Sequence, residues 1–301
     1  MKVGFIGVGN IGRPMAAQVM KAGFELVVHD IKRESADSLT ALGAEWAESP
    51  QDVAERCQII CACLPGPTEM REVVLGGRGV IQGIGIDAIF VDHTTNSPLL
   101  VREVKELLSE RGAKMLDAPV SGGMEGAQTR DLTMLVGGES ETLEEAKPVL
   151  DAMAKTVMHV GGIGAGCVCK VMHNCAGFSL NLAMMECLTL GAKAGVSPDV
   201  LVEVFQKCAL GSNFDIQVRL PDTIFRGDFQ PRFALSTARK DMALATELAR
   251  AYSVQMKLTD TTEAEMEKAI SRGWGGSDSS IFLTLQEERT GVQIRTNGQS
   301  R

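Results

Sequence analysis

Short apolar and β-branched runs alternate with amphipathic stretches through the first half of the chain. Runs at residues 3–6, 26–29, 59–64, 89–92, 114–117, 133–136 and 157–160 predict strands, and apolar positions recurring every three or four residues predict helices over 14–22, 98–111 and 141–154. Alternation of this kind builds a mostly parallel sheet with helices on both faces, a doubly wound α/β domain. The pattern changes after Gly161-Gly162. One long helix-compatible stretch covers 166–193, and helical segments follow near 198–209, 212–226, 234–251, 258–272 and 277–289 with no convincing strand among them. The expected organisation is an α/β domain over residues 1–163, an all-α domain over 164–291 and a flexible tail over 292–301.

A chain of 301 residues holds two ordinary domains, and 45% apolar against 23% charged residues excludes disorder and a small disulfide-stapled scaffold. With 30 basic residues facing 38 acidic ones the net charge is -8, which argues against nucleic acid as the main partner. The cysteines at 57, 61, 63, 167, 169, 175, 187 and 208 form no CxxC pair and no framework spacing, so they give no metal site and fit a reducing compartment. Cys61 and Cys63 share one face of a predicted strand as small hydrophobic residues. Asn181 and Glu186 interrupt the most apolar region, so no membrane span is read, and the expected location is cytoplasmic.

The 32 glycines are informative through their positions, because glycine serves where backbone must approach something closely. Gly7-Val8-Gly9-Asn10-Ile11-Gly12 directly follows the first strand and opens a helix that carries Pro14. In that context Gly7 makes the tight turn, Gly9 lets backbone approach a pyrophosphate, and Gly12 lets helix and strand pack closely. The helix N-terminus offers free N–H groups to the phosphates. Asp30, after the second strand, stands where a carboxylate accepts hydrogen bonds from the adenosine ribose, or else caps the following helix. The combination predicts a Rossmann-type dinucleotide domain. Asp30 repels a 2′-phosphate and favours NAD; Lys32 and Arg33 leave NADP possible, and FAD uses the same fingerprint.

Other polar segments follow strands, at the carboxyl edge where open α/β sheets bind ligands. Leu64-Pro65-Gly66-Pro67 and Thr94-Thr95-Asn96-Ser97-Pro98 are two, each also readable as a turn or cap. In Asp117-Ala118-Pro119-Val120-Ser121-Gly122-Gly123 the Ser121 hydroxyl and successive N–H groups can form a nest for a carboxylate. Lys170 and Asn174 share one face of the long helix, with Gly177 leaving room on the same side. A first-turn lysine in an apolar helix has its charge disfavoured by the dipole and by poor solvation, the condition for acid–base work near neutral pH; the alternative is an ordinary solvated lysine. His173 beside it reads as a satisfied or packing histidine, and Arg239-Lys240-Asp241 by itself is a charged patch.

In order and spacing these segments resemble the β-hydroxyacid dehydrogenase family over essentially the whole chain. The resemblance implies that Gly7, Gly9, Asn10, Ile11, Gly12, Asp30, Leu64, Pro65 and Thr95 line NAD, or NADP, and that Lys240 closes over the nicotinamide. It implies that Ser121, Gly122 and Gly123 hold the substrate carboxylate, that Lys170 is the catalytic acid–base and that Asn174 orients the substrate. The implied partner is a small carboxylate-bearing hydroxy acid or semialdehyde, and the helical domain also serves dimerisation in a homodimer or homotetramer. Imine reductases share the scaffold but usually replace the lysine, and a non-catalytic dinucleotide-binding protein is the reading from another class. Trp274 and the His173-Asn174 pair depart from the usual pattern, and Phe214 and Phe233 shape a pocket or pack the core.

Overall fold

The computed structural model of the chain describes residues 1–208 and 214–296. Contacts divide it into two compact units, with the division between Val171 and Met172. The first unit is built on strands β1 (Lys2–Ile6), β2 (Glu25–His29), β3 (Glu45–Trp46), β4 (Ile59–Ala62), β5 (Ile89–Asp92), β6 (Lys114–Asp117), β7 (Val120–Ser121), β8 (Thr133–Gly137) and β9 (Thr156–Gly161). Their order is β3-β2-β1-β4-β5-β6-β8-β7, with β9 beside β8. All pairings through β6 are parallel, β8 runs antiparallel to β6 and β7, and β9 is parallel to β8. This is the expected Rossmann-type sheet. The sequence pattern missed β3 and β7, which at two residues each are too short to show alternation.

Helices α1 (Gly12–Lys21), α2 (Asp37–Thr40), α3 (Pro50–Arg56), α4 (Pro67–Leu75), α5 (Val80–Gly83), α6 (Pro98–Glu110), α7 (Gly123–Thr129) and α8 (Ser140–Met153) complete the layers. Strand β4 shows why. Ile59 and Cys61 enter one core with Met15 and Val19 of α1 and Val149 of α8, while Ile60 and Ala62 enter the other with Val53 of α3 and Val104 of α6. A strand buried on both faces reads as a continuous apolar run, which made β4 legible in the sequence. Cys63 packs on the same core as Cys61, as expected.

Helix α9 (Ala165–Lys193) runs through the division between the units. The expected boundary at 163/164 lies just before it, and the contact division lies about two turns inside, the helix start being bonded to the first unit through Asp117. By length and composition α9 is apolar enough to cross a membrane. Its buried face instead carries Cys175, Phe178, Leu182, Met185 and Leu188 together with the polar Asn181.

The second unit continues with α10 (Pro198–Lys207), α11 (Leu220–Asp222), α12 (Leu235–Ala251), α13 (Lys257–Ser271) and α14 (Thr284–Thr290). No strand occurs among its described residues. The helix expected over 212–226 begins in residues outside the described ones; its remainder is a π-turn at Asp215–Arg219 followed by single turns. The tail expectation needs correction at 292–296. Ile294 is buried and its N–H donates to Glu287 Oε1 (2.7 Å), Arg295 pairs with Glu287 (2.6 Å), and Thr296 N–H reaches Phe225 O (3.1 Å). Residues 297–301 lie outside the described ones.

The end of β5 is unusually polar for buried chain. The Asp92 carboxylate accepts from Thr94 N–H and Asn96 Nδ2, each at 2.9 Å, and burial pushes its pKa up to about 6. Burial pushes the neighbouring His93 down to about 4; Nδ1 lies 2.9 Å from Ala118 O and Nε2 has no protein partner. A neutral buried imidazole binds fewer protons than the unfolded one. Its stabilisation is therefore complete above pH 6.5 and lost as pH falls toward 4, whereas Asp92 works in the opposite sense as pH rises toward 6. In urea unfolding, the stability of wild type relative to His93→Asn is expected to grow by about 3 kcal/mol from pH 4 to pH 6.5, the Asp92 contribution cancelling between the two proteins. A difference independent of pH would contradict a buried neutral His93.

Candidate active site

At the switch point of the sheet, where β1 lies between β2 and β4, the chain leaves β1 through Gly7 with φ +84°. Gly7 N–H donates to His29 O (2.9 Å), and Cys63 N–H donates to Ile6 O (2.9 Å). A Cβ on Gly7 would stand 2.4 Å from Cys63 O, and one on Gly12 would stand 2.0 Å from Gly7 O. Both positions therefore exclude any side chain. Gly9 has nothing within 4 Å of its Cβ position, and Gly9 and Asn10 are exposed. The open backbone of Gly9 at the start of α1 fits the pyrophosphate of a dinucleotide.

Asp30 faces this loop. Its Oδ2 accepts Val8 N–H and its Oδ1 accepts Lys32 N–H, each at 2.9 Å. Each carboxylate oxygen keeps a lone pair for a ribose hydroxyl. Arg33 is engaged elsewhere: it approaches Glu48 at 3.4 Å, and its guanidinium lies 5.2 Å from the Trp46 ring centroid. Nothing in the sequence pattern signalled the Trp46 contact, because β3 itself was not visible there.

The loops after β4 and β5 are tied together by Leu64 N–H donating to Thr94 Oγ1 (3.0 Å). Across residues 93–98 only Thr95 is partly exposed, its neighbours being buried. Leu64 is half-buried and Pro65 exposed at the same edge. These are accessible positions on a loop that buried groups hold fixed. Ser121, Gly122 and Gly123 lie at the end of β7 and the start of α7; both glycines have positive φ, +131° and +63°. A Cβ on Gly122 would meet Asp131 O at 2.9 Å, whereas Gly123 is open.

Lys170 is buried, at 9% exposure, so the solvated alternative does not hold. It occupies the second turn of α9 rather than the first, since the helix begins at Ala165. The helix start is also not a free positive end: Asp117 Oδ1 accepts Gly164 N–H and Oδ2 accepts Cys167 N–H, both at 2.7 Å. Cys167 Sγ adds a contact to Thr94 O (3.8 Å). The carboxylate offsets the positive end of the helix dipole there.

In the second unit Asn174 Nδ2 donates to Asp241 Oδ2 (2.7 Å), and Lys240 Nζ stands 3.0 Å from Asp241 Oδ1. Asp241, nearly fully buried, thus fixes both predicted residues. Its adjacency to Lys240 was its only sequence signal. Phe178 stacks on Phe233 (5.9 Å between centroids) and carries Arg219 over its ring (5.6 Å), while Phe214 is exposed. His173 is exposed, its Nδ1 3.2 Å from Asn174 Oδ1, and Arg272 covers the ring of Trp274.

Residues 2–162 match the family model described as the NAD binding domain of 6-phosphogluconate dehydrogenase, and residues 164–285 match that described as NAD-binding of NADP-dependent 3-hydroxyisobutyrate dehydrogenase. The chain is 32% identical to 2-(hydroxymethyl)glutarate dehydrogenase of Eubacterium barkeri over 98% of its own length and 97% of the relative's. It is 31% identical to NAD-dependent L-serine dehydrogenase of Pseudomonas aeruginosa, covering 96% and 99% of the two chains. Among solved structures, Mycobacterium tuberculosis 3-hydroxyisobutyrate dehydrogenase with L-serine superposes with a TM-score of 0.87 at 28% identity, over 94% of this chain and 98% of that one. The Rossmann-type glycine turn, the carboxylate after β2 and the matches along both units converge: the chain belongs to the β-hydroxyacid dehydrogenase family of NAD(P)-dependent oxidoreductases.

Proposed function

We propose that the protein interconverts a short β-hydroxy acid and its semialdehyde or keto acid, using NAD in preference to NADP, with Lys170 as the acid–base. The observation that carries this reading is a buried lysine on a helix turn anchored to the carboxyl edge of a dinucleotide-type sheet. When bound, NAD supplies a hydride acceptor for the carbinol carbon. Lys170 takes the hydroxyl proton as the carbonyl forms and returns it in the reverse direction. The Ser121 hydroxyl and the N–H groups of Gly122 and Gly123 are assigned to the substrate carboxylate. Asn174, held by Asp241, orients the substrate, and Lys240 is assigned to the nicotinamide end of the cofactor.

The NAD preference rests on Asp30, whose charge stands at the ribose end of the glycine loop while Arg33 is engaged by Glu48 and Trp46. Self-association is supported by α9, which in the second unit leaves Ala176, Ala183, Cys187 and Leu190 exposed at spacings that fall on one helix face.

Lys170→Ala is expected to lower kcat by about 100-fold or more with NAD still bound, read from nicotinamide absorbance across a panel of hydroxy acids. Near-normal turnover would remove the assignment. Asp30→Asn should raise the NADP to NAD ratio of kcat/KM by about 10-fold through loss of charge repulsion, and an unchanged ratio would place the selectivity elsewhere. Light scattering should return a dimer or tetramer; a clean monomer would refute the self-association.

A further inference from the structure

Asp117 takes no part in the reaction above, yet it is fully buried at the end of β6 and both of its oxygens are committed to one helix start. The surroundings leave room for that contact and for little else. A Cβ on Gly137 would stand 2.3 Å from Asp117 Oδ1, and one on Gly166 would stand 2.1 Å from Leu135 O and 3.0 Å from Asp117 Oδ2. Gly164, which donates to Oδ1, has φ +87°. Gly137 on β8, Gly164 in the turn and Gly166 on α9 thus allow the strand, the turn and the helix to close on one carboxylate. Serine, threonine or asparagine caps a helix without burying a charge. A carboxylate gripping two separate N–H groups with short charge-assisted bonds fixes the direction of the helix as well as its first turn. Cys167, one of the two donors, also contacts Thr94 O, so the same turn is held from the β5 loop. Lys170 lies three residues beyond Cys167, about 4.5 Å along the helix axis.

We propose that Asp117 is the positioning residue for Lys170: by clamping Gly164 and Cys167 it fixes the second turn of α9 so that the lysine amine meets the substrate hydroxyl. The inference rests on the reading of Lys170 as the acid–base. A small displacement of a reacting group is enough to matter, since about 1 Å of misplacement can cost on the order of 100-fold in rate. Removing the clamp therefore lowers kcat without touching the glycine loop that binds the dinucleotide.

The test is a double-mutant cycle on kcat with Asp117→Asn, Lys170→Ala and the combined variant, alongside the NAD dissociation constant of each by fluorescence titration. Asp117→Asn is expected to lower kcat by about 30- to 100-fold with the NAD constant within about 2-fold, and to cost less than about 3-fold further once Lys170 is alanine. Losses that multiply in the combined variant would show that Asp117 acts independently of the lysine and overturn the proposal. So would an Asp117→Asn enzyme with wild-type kcat. Near-normal kcat in Lys170→Ala alone removes the underlying reading and this inference with it, which separates the two failures. Should Asp117→Asn not fold, Cys167→Pro carries the same cycle, because it deletes one clamped N–H within the first helical turn and leaves the charge. Its loss must likewise vanish in the Lys170→Ala background; a multiplying loss or unchanged kcat overturns the proposal.

Discussion

The loops at the carboxyl edge of a parallel sheet leave backbone N–H groups without ladder partners, and in this protein buried or half-buried carboxylates satisfy them. Asp30 after β2 holds the N–H groups of Val8 and Lys32, Asp92 at the end of β5 holds the Thr94 N–H together with the Asn96 side-chain amide, and Asp117 at the end of β6 holds the N–H groups of Gly164 and Cys167. The glycine turn, the Thr95 loop and the start of α9 are each fixed by one of these groups. An unpaired buried polar group costs about 1–3 kcal/mol, so each loop has one strongly favoured arrangement. Rigid loops of this kind are what a hydride transfer requires, because reacting groups must meet within a narrow geometry.

The same arrangement explains how a chain of net charge -8 can accept an anionic cofactor and substrate. The acidic groups near the site face inward onto backbone amides, while the space beside the Gly9 and Gly123 backbone stays open.

Much of the fold was legible because its signals are local. The β4 run, the Gly7 to Gly12 turn and Asp30 each follow from period, spacing and the conformational demands of glycine, and the family resemblance gathered the remaining motifs. What the sequence concealed is tertiary. Asp117 stood inside a recognised motif, yet its bonds to Gly164 and Cys167 span 47 and 50 residues and have no local signature. Asp241 was visible only as a neighbour of Lys240, and its grip on Asn174 crosses 67 residues. Helix period likewise locates where α9 begins but not that its first two turns pack with the first unit. Residues 292–296 looked like a polar tail because a single buried Ile294 beside Glu287 leaves no periodic trace.

In the proposed reaction a hydride passes directly from a carbinol carbon of a short β-hydroxy acid to the nicotinamide while Lys170 takes the hydroxyl proton. The most direct measurement uses such acids deuterated at that carbon, incubated with the protein and NAD, with mass spectrometry of the reduced dinucleotide. The expected result is one deuterium carried by each dinucleotide reduced. Reduced dinucleotide free of deuterium, or no reduction with any member of the class, would contradict it.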